Sequence, residues 1–249
     1  MIRFLAVQHT FAEFLGALEP QFEARDIAFT YLRPVTGQDV FANALQFDSL
    51  WLLGGAYPVA DAAHAPWVPD ELKLVRAFER AQRPVVGLGF GAQVIAHAHG
   101  GAAALEPAHL AYWTVAHATD AGRDDPVAQA VDGRRVLVMA NGTVAAPAGV
   151  EPLVVDDAGR WIALRPSRRT YALLFRPELK PGMIEDMIME DDRPLPDDIG
   201  ALLDEARANW GETQQTTHRV TAALVSALGL MDEARKAPTI LLRTVREGE

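Results

Sequence analysis

The sequence predicts an α/β fold: a mostly parallel sheet with helices on both faces, followed by a helical C-terminal extension. Three observations carry this expectation. Short apolar, β-branched runs alternate with amphipathic segments through the first part of the chain, which is the rhythm of βαβ units. Two glycine turns, Gly54-Gly55 and Gly87–Gly91, close such runs, at the carboxyl ends of strands where doubly wound sheets hold ligands. From Glu190 the composition turns acidic and proline-containing, and then becomes helical in period, dividing the chain into residues 1–190 and an extension at 191–249.

The elements follow in order. Ile2–Val7 is a continuous apolar run, expected of a strand covered on both faces. Thr10 is placed to cap a helix carrying Phe14, Leu15, Leu18 and Phe22. Ile27–Leu32 and Phe47–Leu53 read as the next strands. Pro69 opens a helix to about Ala81, with Leu72, Val75 and Phe78 on its apolar face and Glu79 on its charged one. Pro84–Gly89 is a strand running into a glycine turn, and the apolar Val94, Ile95 and Ala96 continue as a helix. After Gly100-Gly101 the rhythm is lost. His109–Ala116 and Arg135–Met139 read as strands, Trp161–Leu164 and Tyr171–Phe175 as a hairpin, and Asn141-Gly142 and Pro147–Gly149 as turns. Met183, Ile184, Met187, Ile188 and Met189 are expected to pack in a core. Glu190–Asp198 reads as a solvated connector. Helical patterns then run from Ile199 to Trp210 and from Val220 to a stop at Gly229. Pro238 precedes a short apolar segment, Ile240–Leu242, with no assigned partner.

Composition excludes several functions. The 249 residues carry a formal charge of −10, which disfavours sequence-independent nucleic-acid binding. There are no cysteines, so disulfides, thiolate metal sites and a cysteine nucleophile are all absent. Met1–Val7 is too short for a secretory signal, and no apolar run approaches the roughly 20 residues of a membrane span. A cytoplasmic protein without membrane contact is expected. His97 and His99 lie two apart on a helix and make a poor metal pair; His9, His64, His117 and His218 show no suggestive spacing with acids. Neither a metal centre nor a cofactor is expected.

Strand, tight glycine turn and helix at Val85–Gln93 is the geometry of a nucleophile elbow, yet its apex is Gly89, which has no side chain. Gly87–Ala92 also fits G-x-G-x-x-G/A. That dinucleotide fingerprint should close a first strand and precede an acid about 20 residues on. Glu106 has the distance but sits in an Ala-rich stretch before Pro107.

On these motifs the first 190 or so residues resemble the class I glutamine amidotransferases of flavodoxin-like fold, particularly members similar to the GMP synthase glutaminase domain. Leu52–Gly55 is similar to the family's glycine strap, whose backbone N–H groups form an oxyanion hole. Pro66–Leu72 matches a tryptophan-containing helix entry. Gly87–Gln93 falls on the elbow that carries the family cysteine, and Phe175–Glu178 on its Phe-His-Pro-Glu. The resemblance implies a triad of cysteine, histidine and glutamate, of which Gly89, Arg176 and Glu178 hold the places. Only Glu178 matches. Arginine stays protonated and cannot serve as a general base. Ala140–Thr143 stands where His-Gly-Asp-Thr is usual, and His109 replaces a glutamate.

The expectation is therefore a protein without glutaminase activity that binds an amino-acid or amide ligand, or a synthase-type partner or second copy. Gly54, Gly55, Phe90 and Gln93, together with Arg176, are its candidate binding residues. The alternative is an enzyme of altered amide or amino-acid chemistry, with Glu178 as base and Arg176 as electrostatic stabiliser over the Gly54-Gly55 backbone. That alternative loses its site if Phe90 or Arg176 fills the space between them.

Overall fold

The computed structural model describes residues 2–40, 44–190 and 194–231, and for 105–108 the backbone alone. The predicted Ile240–Leu242 segment and Asp191-Asp192 lie outside the described residues.

The first half of the chain winds as its periodicity predicts. β1 (Ile2–Val7), β2 (Ile27–Leu32), β3 (Ser49–Leu52) and β4 (Val85–Leu88) are parallel, in the order β2-β1-β3-β4. The strand order reverses at β1, which makes the crevice between the ends of β1 and β3 a topological switch point. α1 (Glu19–Glu23), α2 (Val68–Arg80) and α3 (Phe90–Ala98) lie between these strands and after β4. Pro69 sits in the first turn of α2, where its missing N–H costs nothing.

One early expectation fails. No helix spans Phe14–Phe22; a 3-10 turn at Gly16–Leu18 precedes the five-residue α1. Thr10 donates to Glu13 Oε2 at 3.2 Å instead of capping. Gly16, at φ +54, is pressed against the Glu178 carbonyl, and Ala17 N–H donates to that same oxygen at 2.9 Å. The chain must pass close to Glu178 here, and a regular helix could not.

The second half mixes directions. β5 (Ala103–Val115) and β7 (Arg135–Val144) form a separate antiparallel ribbon, joined through β6 (His117–Ala118) and α4 (Pro126–Val131). β8 (Val154–Val155), β9 (Trp161–Ser167) and β10 (Thr170–Leu173) extend the main sheet to β2-β1-β3-β4-β10-β9-β8-β6. β9 and β10 make the expected hairpin, and β10 then lies parallel to β4. Asn141-Gly142 is not a turn. It lies within β7 opposite a register shift in β5, with Gly142 at φ +69 supplying the left-handed residue that such an irregularity uses.

α5 (Pro181–Met189), α6 (Ile199–Ala208) and α7 (Trp210–Leu228) complete the chain, and α7 ends on the left-handed Gly229 as its sequence predicts. Met183, Ile184 and Met187 are buried against Leu137 and Met139 of β7 and Leu202 and Leu203 of α6. Met189 departs from its core expectation and is 81% exposed. On alternate positions of β7, Val136, Val138 and Ala140 face the main core, as a period of two dictates. α7 packs on α4, and its Val220, Leu224 and Leu228 join that same core.

Candidate functional site

The site is built where β1, β3 and β4 end. Gly89 follows β4 at φ +53, ψ −112, and its N–H donates to Leu173 O of β10 at 2.9 Å. A β-carbon here would lie 2.8 Å from Met139 O and 2.9 Å from Arg176 Cδ and Nη1. The neighbouring glycines have packing reasons: a β-carbon on Gly87 would strike the Gly91 carbonyl, and one on Gly91 the Leu52 carbonyl. Helix α3 therefore sits directly on β3 and β4, which explains the glycine spacing without a dinucleotide. Glu106, the acid weighed for that role, is among the residues whose side chains lie outside the description.

Arg176 occupies the space over the apex. Its backbone is fixed by a hydrogen bond from its N–H to Leu137 O at 2.8 Å. Its guanidinium Nε meets Glu178 Oε1 at 2.5 Å, Nη2 meets Glu13 Oε1 at 2.9 Å, and Nη1 donates to Met139 O at 3.1 Å. The arginine side chain is 1% exposed and both glutamates are 0% exposed. Burial opposes the charge on Arg176, but the two carboxylates outweigh it and raise its pKa further. Burial also holds Glu178 above the usual carboxylate range, against the pull of Arg176, as fits two acids sharing one cation. A β-carbon on Gly54 would collide with both Glu13 and Arg176, so this end of the glycine strap is covered by the ion pair. Beside Arg176 a cavity of about 10 Å³ remains, walled by Glu13, Met139 and Asn141 among others, room for about one water.

The other candidate residues fall on either side of this cluster. Gln93 is buried in α3, and its Nε2 donates to Gly142 O of β7 at 2.8 Å. His109 Nδ1 meets Asn141 Oδ1 at 2.8 Å, and Asn141 Nδ2 donates to Ala56 O, tying the ribbon to the loop after β3. Gly55 and Phe90, by contrast, line a separate cavity of about 340 Å³, together with His9, Tyr57, His64 and Trp67. The expected binding residues are thus not one cluster: Gly54 and Arg176 are sealed, Gln93 is held to β7 through its Nε2, and Gly55 and Phe90, themselves almost fully buried, lie in the wall of the larger cavity.

Sequence inspection missed Glu13, His9 and Glu71. His9 follows β1, and its Nε2 donates to Glu71 Oε1 of α2 at 2.8 Å while Nδ1 lies 2.9 Å from Gly54 O and 3.1 Å from Leu53 O. Both nitrogens face acceptors, the pattern of an imidazolium. Burial opposes that charge, yet Glu71 and the Gly54 carbonyl raise the His9 pKa overall. Two further histidines also meet acids: His64 meets Asp61 Oδ2, and His117 meets Asp157 Oδ1, each at 2.8 Å. The usable signal was position, a histidine directly at the end of the first strand, because sixty-two residues separate it from its acid.

With its elbow, its glycine strap and the acid of Glu178 in place, the chain has the fold of the class I glutamine amidotransferases. A glutamine amidotransferase from Thermotoga maritima is similar over 90% of this chain and 98% of its own, at 18% identity and TM-score 0.72. SMU.1228c is similar at 18% identity and TM-score 0.77, over 90% of this chain and all of its own. A glutamine amido transferase from Methylobacillus flagellatus is 17% identical at TM-score 0.75, covering 91% of this chain and 94% of its own. No family model matches the sequence, and no curated protein matches it. Among the described residues, no helix is long and apolar enough to cross a membrane.

Proposed function

We propose that this chain is a non-catalytic protein on a glutamine amidotransferase scaffold, binding at its former active-site face and not hydrolysing glutamine there. The observation that carries this reading is the Arg176 guanidinium, seated against Gly89 and ion-paired to Glu13 and Glu178. Glutamine hydrolysis of the family type needs a nucleophile at the apex and a base beside it. Here the apex has no side chain, the group beside it is a permanent cation, and the remaining carboxylate is bound to that cation. The alternative, with Glu178 as a base, needs substrate room between Glu178, Arg176 and Gly54, which the ion pair occupies. Ligands of the amino-acid or amide class, or a synthase-type partner protein, are the occupants we assign to this face.

Purified protein incubated with glutamine is expected to release no glutamate above a buffer control. Release that persists through repurification overturns the reading.

A further inference from the structure

Two histidines line the larger cavity, and their surroundings differ. The His64 side chain is 56% exposed, whereas that of His9 is 1% exposed and its partner Glu71 is 0% exposed. Phe90 and Trp67 flank the His9 ring at 4.7 and 6.2 Å. Water cannot replace a lost partner at a ring so deeply buried, so protein atoms must absorb any change in its protonation.

The ring stands between an acid and the glycine strap. An imidazolium donates on both sides, to Glu71 through Nε2 and to the Gly54 and Leu53 carbonyls through Nδ1; a neutral ring has one proton for the two sides. That proton stays at Nε2, because the bond to a carboxylate is charge-assisted and the bonds to the carbonyls are weaker. Nδ1 then turns a lone pair toward two carbonyl oxygens. Leu53 is anchored independently: its N–H donates to Val7 O and its carbonyl accepts from Gly91 N–H, each at 3.0 Å. Among the described residues, no group other than His9 donates to the Gly54 carbonyl. The Gly54-Gly55 peptide is therefore the part that yields, and glycine on both sides lets it turn.

The charges around the ring favour its protonated form. Glu71 of α2 touches it, Glu13 acts on it from beside Gly54, and Tyr57, His64 and Glu190 line the same cavity. Burial opposes the imidazolium, but Glu71, the Gly54 carbonyl and Glu13 together outweigh that opposition.

We propose that His9 is the positioning residue of the glycine strap: its imidazolium holds the Gly54 carbonyl, and loss of the Nδ1 proton releases the Gly54-Gly55 peptide. Gly55 is part of the cavity wall, so the shape of the cavity changes with pH. This goes beyond the function proposed above and holds whether or not the protein hydrolyses glutamine.

NMR titration of the full chain with isotope-labelled histidine and glycine tests this, because ring-nitrogen shifts show which nitrogen carries a proton. Raising the pH is expected to remove the His9 Nδ1 proton with a midpoint above about 6.5, and the Gly54 and Gly55 amide signals should move with the same midpoint. Two variants separate positioning from packing. In His9→Asn the amide stands near the Nδ1 position and still donates to Gly54, so the glycine signals should stay near their low-pH positions throughout. In His9→Gln it stands near Nε2 and donates only to Glu71, so they should stay near their high-pH positions. Glu71→Gln is expected to lower the midpoint by about one unit or more, a tenfold loss of proton affinity. His64→Gln should leave the midpoint in place. A His9 ring already neutral below pH about 6.5, or still charged at the pH where the fold is lost, overturns the proposal. So do glycine signals that stay still while the ring titrates, or that titrate alike in both His9 variants. If neither His9 variant folds, the titration of the unaltered chain decides.

Discussion

Arg176 is a single side chain on which the state of the site turns. Replacing it with methionine leaves Glu13 and Glu178 buried against each other without a cation, and breaking a buried pair in this way costs about 3–5 kcal/mol. Denaturant unfolding of Arg176→Met should show a loss of that order. Adding Glu13→Gln and Glu178→Gln should recover most of it, because neutral amides need no counter-charge. If the triple variant is as unstable as the single one, Arg176 acts through packing alone. The residues of this site were unequally legible in sequence. Phe175–Glu178 and Gly89 stood out through their resemblance to a known motif, whereas Glu13 did not, because its part is played across the fold against a residue 163 positions away by chain order, with no local pattern to mark it.

At the scale of elements, one pairing joins the end of β1 to the first turn of α2: His9 with Glu71, both almost fully buried. The folded-state pKa of His9 is raised, so the stability it contributes is fully present below its unfolded value of about 6.5 and is lost as pH rises through the folded value. Unfolding free energies of the wild type and His9→Gln, measured from pH about 6 upward, should therefore converge as pH increases. A constant gap would mean that the ring packs but does not titrate. Sequence periodicity found β1 to β4 and α2 within a few residues, because one-sided or two-sided burial dictates it directly. It misplaced Asn141-Gly142, since a left-handed residue serves a strand irregularity as well as a turn, and only the opposing register of β5 decides between them. It failed likewise between Thr10 and Phe22, where helical spacing was present but the approach of Gly16 to Glu178 overrode it.

For the whole molecule, the acidic stretch after α5 invites division at residue 190. The packing makes the last helix part of the first core: Val220, Leu224 and Leu228 of α7 lie in one cluster with Val127 and Val131 of α4. Thr217 Oγ1 also donates to Pro177 O at 2.6 Å, which ties α7 to the turn between Arg176 and Glu178. A chain ending at residue 190 uncovers that core face and the Met183–Met187 face of α5 together. We expect it to lose cooperative thermal unfolding and to aggregate; a cooperative, monomeric transition close to that of the full chain would show that α6 and α7 are an independent addition. The mixed sheet itself was only half visible beforehand. The parallel half announces itself by continuous apolar runs, whereas strands of two residues such as β6 and β8 leave no periodic trace.

The buried arginine also fixes the direction in which this protein can change. A cysteine at Gly89 arrives against Arg176 and Met139 O in a backbone geometry that strains any side chain. Removing Arg176 first strands two acids. Each step on its own spends several kcal/mol from a net stability that is typically about 5–15 kcal/mol, and neither step alone supplies both a nucleophile and a base. On the proposed loss of catalysis, hydrolysis lies more than one substitution away, so the ion pair would work as a ratchet: the pocket beside it changes without disturbing those buried charges, whereas the closed one does not.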